Sequence, residues 1–304
     1  MRILKLLSYF TFILIFCGFA STDPFKYFNE IIEKEKKIGR EKNYTKHNEF
    51  THNELPEKLN KFFNESSSKD IARLNTKTLH SLFKVSELAF FYNRNFNFWN
   101  YQDMIFQLLK KTNTLTNKEI AQTYENAVTM RQYARAKQIS NKYKSIKLKP
   151  YPAPIEDPST INKNHKYYAI SRDGEQMRLG FYARKETEIW VYGHPYCGFS
   201  KKLSDYVNRN PKIKQIFEKY SFWILDPDAW EYTRTIASYN QTHPEINFFL
   251  AYSYSDWPEL DFSSIPRIYF FKNRNEVYRI IGWEGNGKSV EDMRTGLKKL
   301  GLFF

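Results

Sequence analysis

The residue in this chain best placed to do chemistry is a single thiol, Cys197. It follows the apolar run Ile189-Trp190-Val191-Tyr192 and the turn Gly193-His194-Pro195-Tyr196, and Gly198-Phe199-Ser200-Lys201-Lys202 continue beyond it. The run has the length of a buried strand, and helical spacing starts after the turn, so the cysteine is expected where a helix begins. Unpaired N–H groups and the positive dipole end of a helix stabilise a thiolate, the nucleophile of thiol chemistry. Attack on a disulfide is the reaction that such a site invites. His194, three residues earlier, either tunes the thiol or is a surface imidazole with no task. Nothing else in the sequence competes. The histidines do not cluster with cysteine or carboxylate in ligand patterns, and neither a phosphate-cradling glycine loop nor a serine-nucleophile elbow occurs, so no metal and no nucleotide are expected.

The segment Tyr196-Cys197-Gly198-Phe199-Ser200-Lys201 resembles the thioredoxin-superfamily motif aromatic-Cys-Gly-x-Cys-Lys, with Ser200 standing in place of the second cysteine. The tetrad Cys-Gly-Phe-Ser is also that of the monothiol glutaredoxins. Ser264-Ile265-Pro266 resembles the cis-proline loop that faces the cysteine in such folds. The resemblance covers roughly residues 186 to 304. It implies Cys197, Ser200 and Pro266 as the catalytic set, and Tyr196, Phe199, Ile265 and Arg267 as substrate-binding residues, with Arg267 a cation near the thiolate. A serine neither forms a disulfide nor leaves as a thiolate, so exchange through Cys197 alone is implied. No cofactor is implied other than glutathione as a releasing thiol. The iron–sulfur role of monothiol glutaredoxins belongs to the cytosol, and the export signal read below argues against it.

Stepping outward, the elements that must hold this site follow in order. The spacing predicts a helix over 201–220, broken or restarted at Pro211, then a strand over 221–226. Residues 228–239 read as helical, and the remainder to Ser264 reads as an insertion that borders the cysteine. A strand over 267–272, the polar turn Asn273-Arg274-Asn275-Glu276, a strand over 277–282 and a capped amphipathic helix over 289–300 close the fold. Upstream, Lys166–Ser171 and Met177–Ala183 flank an Asp173-Gly174 turn and read as a β-hairpin, which either adds strands to the sheet or bridges to the helical part.

The N-terminal half has a different texture. No glycine occurs between Gly39 and Gly174, and no proline between Pro56 and Pro150, so residues 21–149 read as all helix. Ser66-Ser67-Ser68-Lys69-Asp70 and Thr116-Asn117 look like helix starts. Leu82, Val85, Ala89 and Tyr92 share one face, as do Ile120, Tyr124, Ala127, Val128 and Arg131. The aromatic run 90–101 is read as core between helices rather than an exposed surface for a partner. The proline-dense stretch 150–165 reads as an extended connector. The expected division is therefore a signal peptide over 1–20, a helical domain over 21–149, a linker over 150–165 and a thioredoxin-like domain over 166–304. The fold class is α+β.

The start Met1-Arg2-Ile3-Leu4-Lys5, the apolar stretch to Phe19 and the small Ala20 have the parts of a secretory signal, which implies a bacterial periplasmic or secreted protein. Phe16 before Cys17 argues against lipid attachment. After cleavage Cys197 would be the one thiol, so no internal disulfide could form. The net charge of +14 comes from Lys and Arg spread among 33 acids. That pattern suggests no nucleic-acid track, and leaves weak contact with a membrane surface open. Three readings remain: monothiol exchange on protein thiols and disulfides; a non-catalytic binding or assembly protein, for example in a secretion or conjugation apparatus, whose helical domain is the interaction surface; or a cysteine with no redox task on a structural scaffold. The sequence leaves the oligomeric state undetermined.

Overall fold

A computed structural model describes residues 23–41, 44–156 and 163–303. The expected signal peptide over 1–20 lies outside them. The chain divides into two compact units: the first takes in the chain up to Ala127 together with Arg135–Ile146, and the second takes in Val128–Ala134 together with everything from Lys147 onward.

The first unit is helical: no glycine follows Gly39 in it and no proline follows Pro56, and Pro24 and Pro56 stand in the first turns of helices, where proline is tolerated. Its elements are α1 (Pro24–Arg40), α2 (Tyr44–Glu49), a π-helical turn (Phe50–Glu54), α3 (Leu55–Glu65), α4 (Ser68–Ala72), α5 (Thr76–Asn93), α6 (Phe96–Lys111), α7 (Asn117–Thr129) and α8 (Tyr133–Lys142), the last two residues of α7 and the first two of α8 being counted with the second unit. Two of the expected starts are capping boxes: Ser67 with Asp70, and Thr116 with Glu119. The α5 stripe of Leu82, Val85 and Ala89 is fully buried. The aromatic run splits between the two readings, because Phe90, Phe98 and Trp99 are core while Phe91 and Phe96 are exposed.

The second unit is a mixed eight-stranded sheet in the order β1-β3-β2-β6-β5-β4-β7-β8. Its strands are β1 (Ala153–Ile155), β2 (Lys166–Ile170), β3 (Gln176–Phe181), β4 (Thr187–Tyr192), β5 (Ser221–Leu225), β6 (Phe248–Ala251), β7 (Arg267–Lys272) and β8 (Asn275–Ile281). Between β4 and β5 run α9 (Gly198–Arg209) and α10 (Pro211–Tyr220), broken where Pro211 was expected to break them; α11 (Thr233–Thr242) follows a 3-10 turn (Pro227–Tyr232), and α12 (Gly287–Leu300) ends the fold. β4 runs parallel to β5 and antiparallel to β7, and β7 pairs with β8 antiparallel. That β-α-β followed by β-β-α order is thioredoxin-like, as the sequence implies.

Three features depart from the expectation. The insertion after β5 contains a strand, since β6 pairs parallel with β5 and antiparallel with β2, so the hairpin extends the sheet through it. The connector carries β1, a three-residue edge strand parallel to β3. An edge tolerates Pro154 because a missing N–H there breaks no ladder. Arg131 does not prolong a helix: it sits at φ 58°, and its buried guanidinium donates to the carbonyls of Pro227, Ala251 and Tyr252 at 3.3, 2.8 and 2.8 Å.

Candidate functional site

The site grows from the end of β4, a deeply buried strand. From Glu188 to Tyr192 every residue of β4 is buried, with β5 on one side and β7 on the other, as its unbroken apolar run requires. The Gly193 N–H caps the strand by donating to Ile224 O at 3.2 Å, and the chain then turns, with Cys197 N–H donating to His194 O at 2.9 Å. Cys197 is the N-cap of α9: its backbone is extended (φ −77°, ψ 122°), and its carbonyl accepts the first helical bond, from Lys201 N at 2.9 Å. Its sulfur makes no capping hydrogen bond. The thiol is half-buried and in no disulfide, and it makes one weak hydrogen bond, donating to the carbonyl oxygen of Ile265 at 3.9 Å.

Ile265 precedes Pro266 through a cis peptide bond, and Pro266 O accepts from Gly282 N at 2.8 Å. Ile265 itself packs half-buried against the core of Trp190, Tyr192 and Tyr269. Two motifs separated by 68 residues in sequence therefore meet at the thiol, Cys197 from one side and the Ile265-Pro266 step from the other.

The remaining residues singled out in the sequence divide. Ser200, which stands in place of the second cysteine, is buried at 2% exposure, and its Oγ accepts the His194 N–H at 3.2 Å. A Cβ on Gly193 would stand 3.1 Å from that oxygen. The hydroxyl is thus a tie across the turn. Arg267, expected as a cation near the thiolate, is buried and engaged elsewhere: its guanidinium meets Asp261 at 2.5 Å, Ser263 Oγ at 2.8 Å and Ser264 Oγ at 3.1 Å. A buried guanidinium must be paired, so Arg267 holds the loop before Pro266 rather than facing a substrate. Burial pushes the Asp261 carboxyl up, yet the hydrogen bonds from Ser263 and the charge of Arg267 outweigh it and hold the group below its ordinary value. Tyr196 and Phe199, by contrast, are exposed at 52% and 47%, one on each side of the cysteine in sequence.

His194 is neither a tuning base in contact with the thiol nor an idle imidazole. Its Nδ1 accepts the Tyr196 N–H at 3.1 Å, its ring stacks on Tyr196 at 5.2 Å, and burial lowers its pKa. Tyr232 closes this aromatic group edge-on, 5.2 Å from Tyr196, and the Tyr196 hydroxyl donates to Thr235 Oγ1 at 2.5 Å. Tyr232 and Thr235 carry no local signal, because the segment around the start of α11 meets Tyr196 only through the folding of the sheet.

No family model matches this chain, and no curated protein matches it. Among solved structures, a thioredoxin-like protein from Bacteroides caccae aligns over 83% of this chain and 86% of that one, at 12% identity and a TM-score of 0.26, too low for the superposition to assign a role to any residue.

Proposed function

We propose that this protein carries out thiol–disulfide exchange through Cys197 alone, isomerising protein disulfides or releasing mixed disulfides. The observation that carries the reading is the half-buried thiol at the start of α9, in no disulfide and held only by a weak contact of 3.9 Å to the carbonyl before Pro266. In the reaction the Cys197 thiolate displaces one sulfur of a substrate disulfide. A Cys197–S–S–substrate bond forms, and the other half leaves as a thiolate, so the number of disulfides is unchanged. Ser200 cannot displace the adduct, and a substrate thiol or a small thiol such as glutathione must do so. We further infer export to the periplasm or beyond, where disulfide substrates occur. Cleavage after Ala20 is read out by the mass of the mature chain, and an intact Met1 overturns it.

The experiment is to offer a peptide disulfide to the wild type, Cys197→Ser and Ser200→Cys. Wild type is expected to accumulate a mixed disulfide, Cys197→Ser to form none while staying folded, and Ser200→Cys to turn over in a disulfide-reduction assay. A native thiol that resists alkylation defeats the reading. A second reading, a binding or assembly protein on a thioredoxin-like scaffold, is favoured by one observation: the Ser200 hydroxyl is engaged by the backbone instead of being available beside the thiol. Partner capture that survives Cys197→Ser would support it.

A further inference from the structure

Beside the cysteine lies a cleft of about 340 Å³ whose walls come from four separate parts of the second unit: Tyr196, the stretch after Trp230, the β2–β3 turn and the connector at Tyr151. Trp230 is buried at its floor, with Nε1 held by Thr129 Oγ1 at 3.1 Å. Tyr232 and Tyr196 form an edge-to-face pair on one wall, and Tyr151 stands on another, stacked 5.3 Å from Tyr133.

The walls are fixed before any ligand arrives. Thr233 Oγ1 donates to Gly174 O at 2.9 Å, and Gly174 sits at φ 73° so close to α11 that a Cβ would be 2.5 Å from the Arg234 backbone. Tyr196, although half exposed, is pinned by its hydroxyl to Thr235. The rim charges cancel in pairs, Lys149 with Glu231 at 3.8 Å and Arg234 with Glu175 at 2.5 Å. A preformed, aromatic-walled cleft with a balanced rim suits an uncharged flat group, since aromatic rings gain from edge and offset contacts with other rings.

We propose that this cleft receives an aromatic side chain of the polypeptide whose disulfide is attacked by Cys197. Tyr196 is the shared element: it walls the cleft, and its Cα is about 3.8 Å from that of Cys197. A phenylalanine or tyrosine beside the substrate cysteine therefore reaches the cleft while the sulfur reaches the thiol. The inference rests on the exchange reading for its substrate, while the occupancy of the cleft can be measured without exchange.

The test uses two short peptides that differ only in carrying phenylalanine or alanine beside a serine that replaces the cysteine, with binding to the full chain followed by calorimetry. The phenylalanine peptide is expected to bind about tenfold more tightly, equivalent to ~1.4 kcal/mol. That ratio should fall toward one when Tyr232→Ala removes a wall and when Thr235→Trp fills the space. Thr235 is exposed, so the second variant spares the core; because it also removes the acceptor of the Tyr196 hydroxyl, Tyr196→Phe, which breaks only that bond, is expected to keep the preference. Equal affinity for both peptides overturns the inference. The same peptides with their cysteine restored as a mixed disulfide with a coloured thiol report exchange separately: a binding preference without thiol release supports the cleft and strikes down the exchange reading alone.

Discussion

The two ends of β4 handle polar groups in opposite ways. Before its first residues lies a closed network: Glu188 is fully buried, yet Arg184 Nε and Lys185 N–H both donate to it. Arg184 also reaches Glu259 at 2.8 Å and Arg274 O at 3.1 Å, its guanidinium lies 4.3 Å from the centre of Trp190, and His165 Nε2 completes the set 3.2 Å from Glu259. Beyond the last residue of β4 comes the opposite: a thiol with one weak contact at 3.9 Å, flanked by exposed Tyr196 and Phe199. Buried charge is tolerated only when its partners are present, whereas a reactive group has to be left accessible. The first end is closed by its own partners, and the second leaves its thiol and two aromatic rings accessible.

The hardest way to break that contrast is Arg184→Ala. It leaves the Glu188 carboxylate buried without its main partner, and losing one member of a buried pair costs about 3–5 kcal/mol. Denaturant unfolding should show that loss, and Glu188→Ala in the same background should recover part of it. A loss below about 1 kcal/mol would mean that water enters and that this end is not closed.

Ser200→Ala sharpens the comparison at the open end. Removing the hydroxyl orphans the His194 N–H, with an expected loss of roughly 1–3 kcal/mol, the usual effect of an unpaired buried donor. Mixed-disulfide formation by Cys197 should persist, because the nucleophile is untouched. If exchange disappears as it does in Cys197→Ser while stability holds, the hydroxyl takes part in the chemistry and its role as a tie is secondary.

How much of this could be read from the residues follows the range of the interactions involved. β4 and the start of α9 are local: a continuous apolar run, a turn and a helix-compatible stretch define themselves within a few residues. The helical texture of the first unit is likewise local, because no glycine follows Gly39 and no proline follows Pro56 through its length. β6 has no such local signature: Phe248-Phe249-Leu250-Ala251 is too short to announce a strand beside His243-Pro244, and only pairing with β5 and β2 makes it one. The partners of Arg267 and His194 were equally hidden. A sequence places Arg267 next to Pro266, but whether its side chain faces the thiol or the loop at Asp261 is decided by burial, a property of the assembled sheet.

The smallest expected effect is a pH dependence at the open end. Burial lowers the His194 pKa, so the unfolded chain takes up a proton more readily than the folded protein between that lowered value and the ordinary value of about 6.5. With more protons bound in the unfolded state, stability rises with pH across this window; it is complete above about 6.5 and declines as the pH falls through it. The slope from one such group cannot exceed about 1.4 kcal/mol per pH unit. Geometry gives the same sign, since a proton on Nδ1 would remove the acceptor of the Tyr196 N–H. His194→Asn keeps an acceptor oxygen and cannot titrate, so its unfolding free energy should be flatter than that of the wild type over the window. Identical pH profiles for the two proteins would show that the imidazole is solvated in the folded state, and that the turn before Cys197 is looser than its hydrogen bonds imply.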